Sequence, residues 1–130
     1  VKIIYTSYFG GVRKFNLPQD KLVSISQWPP KGYTGEKYKQ LAPTPGIIKD
    51  YKAGKLSNED YVPRYIREVL DKLDPIKVYH ELNGKILLCY EKSEDFCHRH
   101  LVWRWFLENN CDCEEWEYTG DTDRWLVQWP

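Results

Sequence analysis

At 130 residues, 42% hydrophobic and 29% charged, the chain can bury a core and reads as one domain spanning 1–130, not as a disordered segment. Nineteen basic and nineteen acidic residues cancel, which argues against coating nucleic acid by bulk charge. No apolar run approaches the roughly 18–20 residues of a membrane span, and the opening "VKIIYTSYFGG" lacks a leader's hydrophobic region. Four cysteines could pair, but their uneven spacing and a core sufficient without staples favour a reducing, intracellular setting, so no membrane partner and a cytoplasmic location are expected.

"KIIYTS" (2–7), rich in β-branched and aromatic residues, predicts a strand running into the Phe9-Gly10-Gly11 turn. "KLVSIS" (21–26) predicts a second, closed by Trp28-Pro29-Pro30. The segment that follows, from Lys31 to Lys55, holds six lysines against Glu36 and Asp50, a balance of +4. Its glycines and prolines predict a long functional loop with short helical pieces. From Ser57 or Asn58 to about Leu73, Tyr61, Tyr65, Ile66, Val69, Leu70 and Leu73 fall at helical spacing.

Asp74-Pro75 opens a shorter helix, with Asp as the cap and Pro at the first helical position. "KILLCYE" (85–91) is a nearly continuous apolar run, the pattern of a strand buried on both faces of a parallel sheet. A helix over 95–109 follows, then a strand over "CDCEEWEY" (111–118), and "RWLVQW" (124–129) as a candidate last strand. Helices alternating with strands define an α/β fold: a small three-layer domain with a mostly parallel sheet of four to five strands flanked by helices.

In such sheets ligands sit at the carboxyl ends of the strands, where "LLCYE" passes into "CHRH". Cys97 lies near the helix start and Arg99 follows it, two features that favour thiolate. His100 shares a helix face with Cys97, and Glu91 at the strand end can orient a histidine or Arg99. Candidate catalytic residues are Cys97, His98, His100 and Glu91; candidate ligand-binding residues are Arg99 with Thr6, Ser7, Gly10 and Gly11 of the first turn. His98 and His100 flank Arg99, so they do not both face one pocket. Cys89, inside "ILLCY", reads as a buried small hydrophobe.

Cys97, His98, His100, Cys111 and Cys113 are numerous enough for zinc, but a helix over 97–109 separates its ends by about 20 Å. That spacing speaks against one shared centre, and neither a metal nor another cofactor is expected. No cysteine-phosphatase loop, P-loop, dinucleotide glycine fingerprint, GxSxG or HExxH motif is present.

The stretch "ILLCYEKSEDFCHRHLV" resembles the signature of the domain of unknown function 488 family, with Cys89, Glu91, Cys97, His98 and Arg99 at the matching positions. "IIYTSYFGG", "LVSIS" and "GKLSNEDYVPRYIREVL" resemble the family's opening strand, second strand and middle helix. The first turn departs from the family's threonine-x-glycine pattern. The resemblance implies a small cytoplasmic α/β protein, common in bacteria and their mobile elements, with no assigned reaction.

The leading reading is a pocket at the junction of strand 85–91 and helix 95–109 for an anionic small molecule or nucleotide, in a Cys/His-dependent enzyme. An alternative is a nucleic-acid binding or processing module using Lys37, Lys39, Lys49, Lys52, Tyr33 and Tyr38, together with Lys31, Lys55 and Tyr51, a basic-plus-aromatic set suited to stacking and phosphate contact. A third reading is a protein-interaction factor from a mobile element, with Trp116, Trp125 and Trp129 as aromatic anchors.

Overall fold

A computed structural model describes residues 2–118. Five strands, β1 (Ile4–Tyr8), β2 (Leu22–Ser24), β3 (Glu36–Lys37), β4 (Ile86–Cys89) and β5 (Cys113–Glu115), form one sheet in the order β3-β2-β4-β1-β5. Every pairing is parallel. The helices are α1 (Gly11–Lys14), α2 (Pro45–Lys52), α3 (Asn58–Glu68), α4 (Pro75–Glu81) and α5 (His98–Glu108). The expected α/β architecture is therefore present, with an all-parallel sheet.

Alternation along the central strands sorts two unequal layers. Ile4, Val23 and Leu87 face the larger core, built with Tyr61, Val62 and Tyr65 of α3, Val78 and Tyr79 of α4, and Leu101, Val102 and Phe106 of α5. Leu22, Ile86 and Leu88 face the other way, onto Leu17, Val12, Phe15 and Tyr33. That second layer is thin, made of the one-turn α1 and loop side chains. Trp116 belongs to it: its ring meets Tyr5 edge-on with centroids 4.9 Å apart. Trp125, Trp129 and the strand expected over 124–129 lie outside the described residues.

Local chemistry sets the helix starts. Thr44 and Ser57 accept backbone N–H bonds from Ile47 and Asp60, and Asp74 accepts from both Ile76 and Lys77. The helix expected through Leu73 stops earlier, at Glu68. Val69 leaves helical geometry (φ −121°, ψ −67°), and a tighter turn over Leu70–Lys72 follows. The apolar spacing persists across this break because a 3₁₀ turn also aims residues inward. The helix expected from residue 95 starts at His98, since Cys97 is still extended (φ −154°, ψ 147°). The lysine-rich segment holds β3 as well as the expected helical pieces. β3 is two exposed residues at the sheet edge, too short to leave an alternation pattern.

The topology creates an opening. β2 and β4 are neighbours, and the chain leaves both at their carboxyl ends, once into 25–31 and once into 90–97. No helix among the described residues is long and apolar enough to cross a membrane.

Candidate functional site

A cleft of about 420 Å³ lies between these two exits. One wall comes from Ser26 to Lys31 after β2, and the opposite side from Cys89 to Glu91 after β4 and Phe96 to His98 entering α5. Tyr51 and Lys52 of α2 and Tyr61 of α3 complete the lining. Trp28 and Tyr90 are about half exposed at the mouth. The Tyr90 hydroxyl donates to the Trp28 carbonyl, tying the two exit loops together.

Cys89, Cys97 and His98 form the buried floor. Parallel register explains why Cys89 is there. It pairs with Tyr8, and Leu87 pairs with Thr6, so these residues share the face that α5 covers. Cys89 ends β4, and eight residues later Cys97 caps α5. Their sulfurs meet and are joined as a disulfide, against the expectation of unpaired cysteines, because the register of β4 and the start of α5 bring them together. Apolar patterning alone assigns Cys89 to the core; burial is right, but its sulfur belongs to the site.

The His98 Nε2–H donates to the Ile25 carbonyl at 2.8 Å, so Nδ1 presents its lone pair 3.7 Å from Cys97 Sγ. Burial holds the His98 imidazole down at about 4, opposed by the Ile25 hydrogen bond. The ring is therefore neutral at physiological pH.

Arg99 points away from the cleft. The side chain is fully buried and forks onto Glu115 through Nε (3.0 and 3.2 Å) and Nη2 (2.7 Å). Its Nη1 donates to the Glu91 carbonyl at 2.6 Å and to Cys89 Sγ at 2.9 Å. The residue read as an anion ligand instead braces the strand end, the sulfur and β5 at once. Glu115 also accepts from Thr6 at 2.5 Å, its register partner across β1 and β5. Burial raises the Glu115 carboxyl, but the Arg99 hydrogen bonds and charge outweigh this and hold it below its ordinary value.

Other candidates disperse. His100 donates Nε2–H to the Asp95 carbonyl at 3.0 Å, closing the loop into α5, and it does not line the cleft. Glu91 does line it and is exposed. Ser7 is buried beneath Gly11, where an added Cβ would sit 3.1 Å from the Ser7 hydroxyl and 3.0 Å from Phe15. Gly11 thus serves close packing of α1 on β1, and Gly10 caps that turn; neither lines the cleft.

Of the basic-aromatic set, Lys31, Tyr51 and Lys52 line the cleft. Tyr38 donates to Glu81 at 2.8 Å, Tyr33 donates to the Glu36 carbonyl at 2.6 Å, and Lys37 lies on edge strand β3. Cys111 and Cys113 are buried free thiols, and burial pushes both up. The ligand set weighed for zinc omits Cys89. Among the described residues, the group of three metal-ligating side chains that the fold assembles is Cys89, Cys97 and His98.

Trp28, Tyr90 and Ser26 lack a signal in the sequence that singles them out, whereas Tyr51 stands among the aromatics interleaved with the lysines of 31–55. A Trp-Pro-Pro run after a strand and a Tyr after "LLC" are the nearest hints, legible once β2 and β4 are known to be neighbours.

Together these features define a small α/β protein of parallel topology, with a cysteine–histidine floor where two neighbouring strands end. The chain belongs to the domain of unknown function 488 family: the model described as the active DUF488-N3 subclade, DUF488-N3a, matches residues 16–110. Comparison with curated proteins and with solved structures returned no match. The matched span carries β2, β4, α5 and every residue lining the cleft, whereas Thr6 and Glu115 fall on either side of it.

Proposed function

We propose that the cleft takes a nucleotide-type or similarly anionic small molecule, and that Cys97 and His98 on its floor carry the chemistry of a Cys/His-dependent enzyme. One observation carries this reading: an aromatic and basic rim stands directly over a buried Cys/His floor. Trp28, Tyr51 and Tyr90 offer flat faces on which a base can stack, and Lys31 and Lys52 offer cations for a phosphate. The volume is that of a small-molecule site. Cys97 starts α5 without a side-chain cap bond, and the positive end of the helix dipole favours a negative group beside it. The description of the matched subclade as active accords with a working centre.

The test is a calorimetric titration of nucleoside mono- and diphosphates against the reduced chain. Binding that weakens with added salt, and in Trp28→Ala and Lys52→Gln, supports the reading. A panel in which no nucleotide binds, or binding indifferent to both substitutions, removes it. For a nucleotide that binds, conversion followed by chromatography in Cys97→Ser and His98→Gln asks whether the floor performs chemistry. Turnover unchanged in both variants would leave a binding protein.

A further inference from the structure

Three side chains reach one point of the cleft floor from two elements: Cys89 from the end of β4, Cys97 and His98 from the start of α5. One ligand atom from each lies within 4.8 Å of the other two. We propose that this trio, in its reduced form, binds a single thiophilic divalent cation of the zinc class, with the fourth coordination position open to the cleft. The inference deepens the reading of the cleft as a Cys/His-dependent centre and rests on it for the cation's role, though not for its binding.

The Cys97–His98 spacing suits such an ion, and the two sulfurs, bonded to each other here, would part on reduction. Zn–S bonds of about 2.3 Å and Zn–N bonds of about 2.0–2.1 Å at tetrahedral angles place sulfur and nitrogen about 3.5 Å apart. Cys97 Sγ and His98 Nδ1 are 3.7 Å apart. The Cα atoms of Cys89 and Cys97 stand 7.4 Å apart, beyond the about 4.4–6.8 Å usual for a disulfide. Two thiolates around one ion span that separation readily. The joined pair is the oxidised, metal-free alternative of the same sulfurs.

The outer partners are those a metal centre requires. A ligating histidine commonly gives its second ring N–H to a carbonyl or carboxylate, fixing both tautomer and ring orientation. His98 gives Nε2–H to Ile25 and leaves Nδ1 for the ion. Thiolate ligands are steadied by N–H donors, and Arg99 supplies one to Cys89 at 2.9 Å.

Charge balance points the same way. Two buried thiolates with Arg99 and Glu115 would carry a net −2, costly with so little solvent. A divalent cation brings the assembly to zero, because Arg99 and Glu115 already cancel. The same cleft holds a polar group in want of a partner. Ser26 Oγ is buried in the cleft lining with no hydrogen-bond partner among the described residues. A water or substrate oxygen held in the cleft would give that hydroxyl an acceptor or donor. Three protein ligands and one open position make a catalytic rather than a structural zinc centre, able to polarise a bound oxygen.

The test uses the reduced chain without oxygen, titrated with Co²⁺ alone as a spectroscopic stand-in and then with Zn²⁺. The expected result is one equivalent bound, with strong thiolate-to-cobalt absorption displaced by Zn²⁺. Cys89→Ser and Cys97→Ser should abolish the absorption and weaken Zn²⁺ binding beyond the about 10–100-fold that loss of an outer partner costs. Cys111→Ser and Cys113→Ser should change neither. If a serine variant does not fold, X-ray absorption at the zinc edge of the unmodified chain decides. Two sulfurs at about 2.3 Å with an imidazole nitrogen support the proposal. A shell of oxygen and nitrogen alone, absence of stoichiometric binding, or full absorption in both the Cys89 and Cys97 variants overturns it. Cation binding is measured with no nucleotide present, so its failure is distinct from failure of the cleft to bind one.

Discussion

Arg99 Nη2 lies 2.7 Å from Glu115 Oε2 with both side chains at zero exposure, so the first turn of α5 is pinned to β5 by a fully buried ion pair. Removing one member strands the other charge, which typically costs about 3–5 kcal/mol. Arg99→Met and Glu115→Leu should each lower stability by that order in urea unfolding. The double variant should lose distinctly less than the sum, because no orphan charge remains. A double variant as damaged as the sum would mean that Arg99 stabilises mainly through Cys89 and the Glu91 carbonyl.

The same pair predicts acid sensitivity. Glu115 is held below its ordinary value of 4.5 in the folded chain, while the unfolded chain takes up a proton near that value. Its stabilising contribution is therefore complete above about pH 4.5 and is lost as the pH falls toward the lowered folded value. Urea midpoints from pH 6 down to pH 3 should fall more steeply in the unmodified chain than in Glu115→Gln, which cannot titrate. Parallel slopes would assign the acid loss to other carboxylates.

At the cleft mouth, Trp28 makes its contribution through ring area, so Trp28→Ala should remove about 1–3 kcal/mol of nucleotide binding if a base stacks there. Lys52→Gln should act through charge instead. It should lower affinity at low salt and reduce the slope of log affinity against log salt by about one phosphate contact. Calorimetric titration at two ionic strengths separates the two effects.

Away from the site, Asp74 accepts from two backbone amides at the start of α4. Asp74→Ala should cost about 1 kcal/mol in thermal or urea unfolding, within the about 0.5–2 kcal/mol range of such caps. Ligand binding at the cleft should be unaltered.

Much of this was legible in the amino acids. The unbroken "ILLC" run marks a strand covered on both faces, and Asp74-Pro75 marks a helix start; both stand as expected. Topology also points to the junction of strand 85–91 with the next helix, and a cleft lined from both opens at that junction. Partnership across the sheet was not legible. Arg99 and Glu115 are 16 residues apart, on elements that meet only because β5 joins the far side of β1. Glu115 sits in a run of acids from 108 to 123 that looks uniformly solvated, yet strand alternation buries Glu115 and exposes Glu114. Cys89 was hidden in the same way, because a run apolar on both sides does not say which face a given residue takes.

The brace from Arg99 to Glu115 also makes β5 part of the cleft's foundation. One guanidinium donates to Cys89 Sγ and the Glu91 carbonyl at one end and to the Glu115 carboxylate at the other. Glu115 lines no part of the cleft, yet any change there is felt at the floor through that single rigid fork.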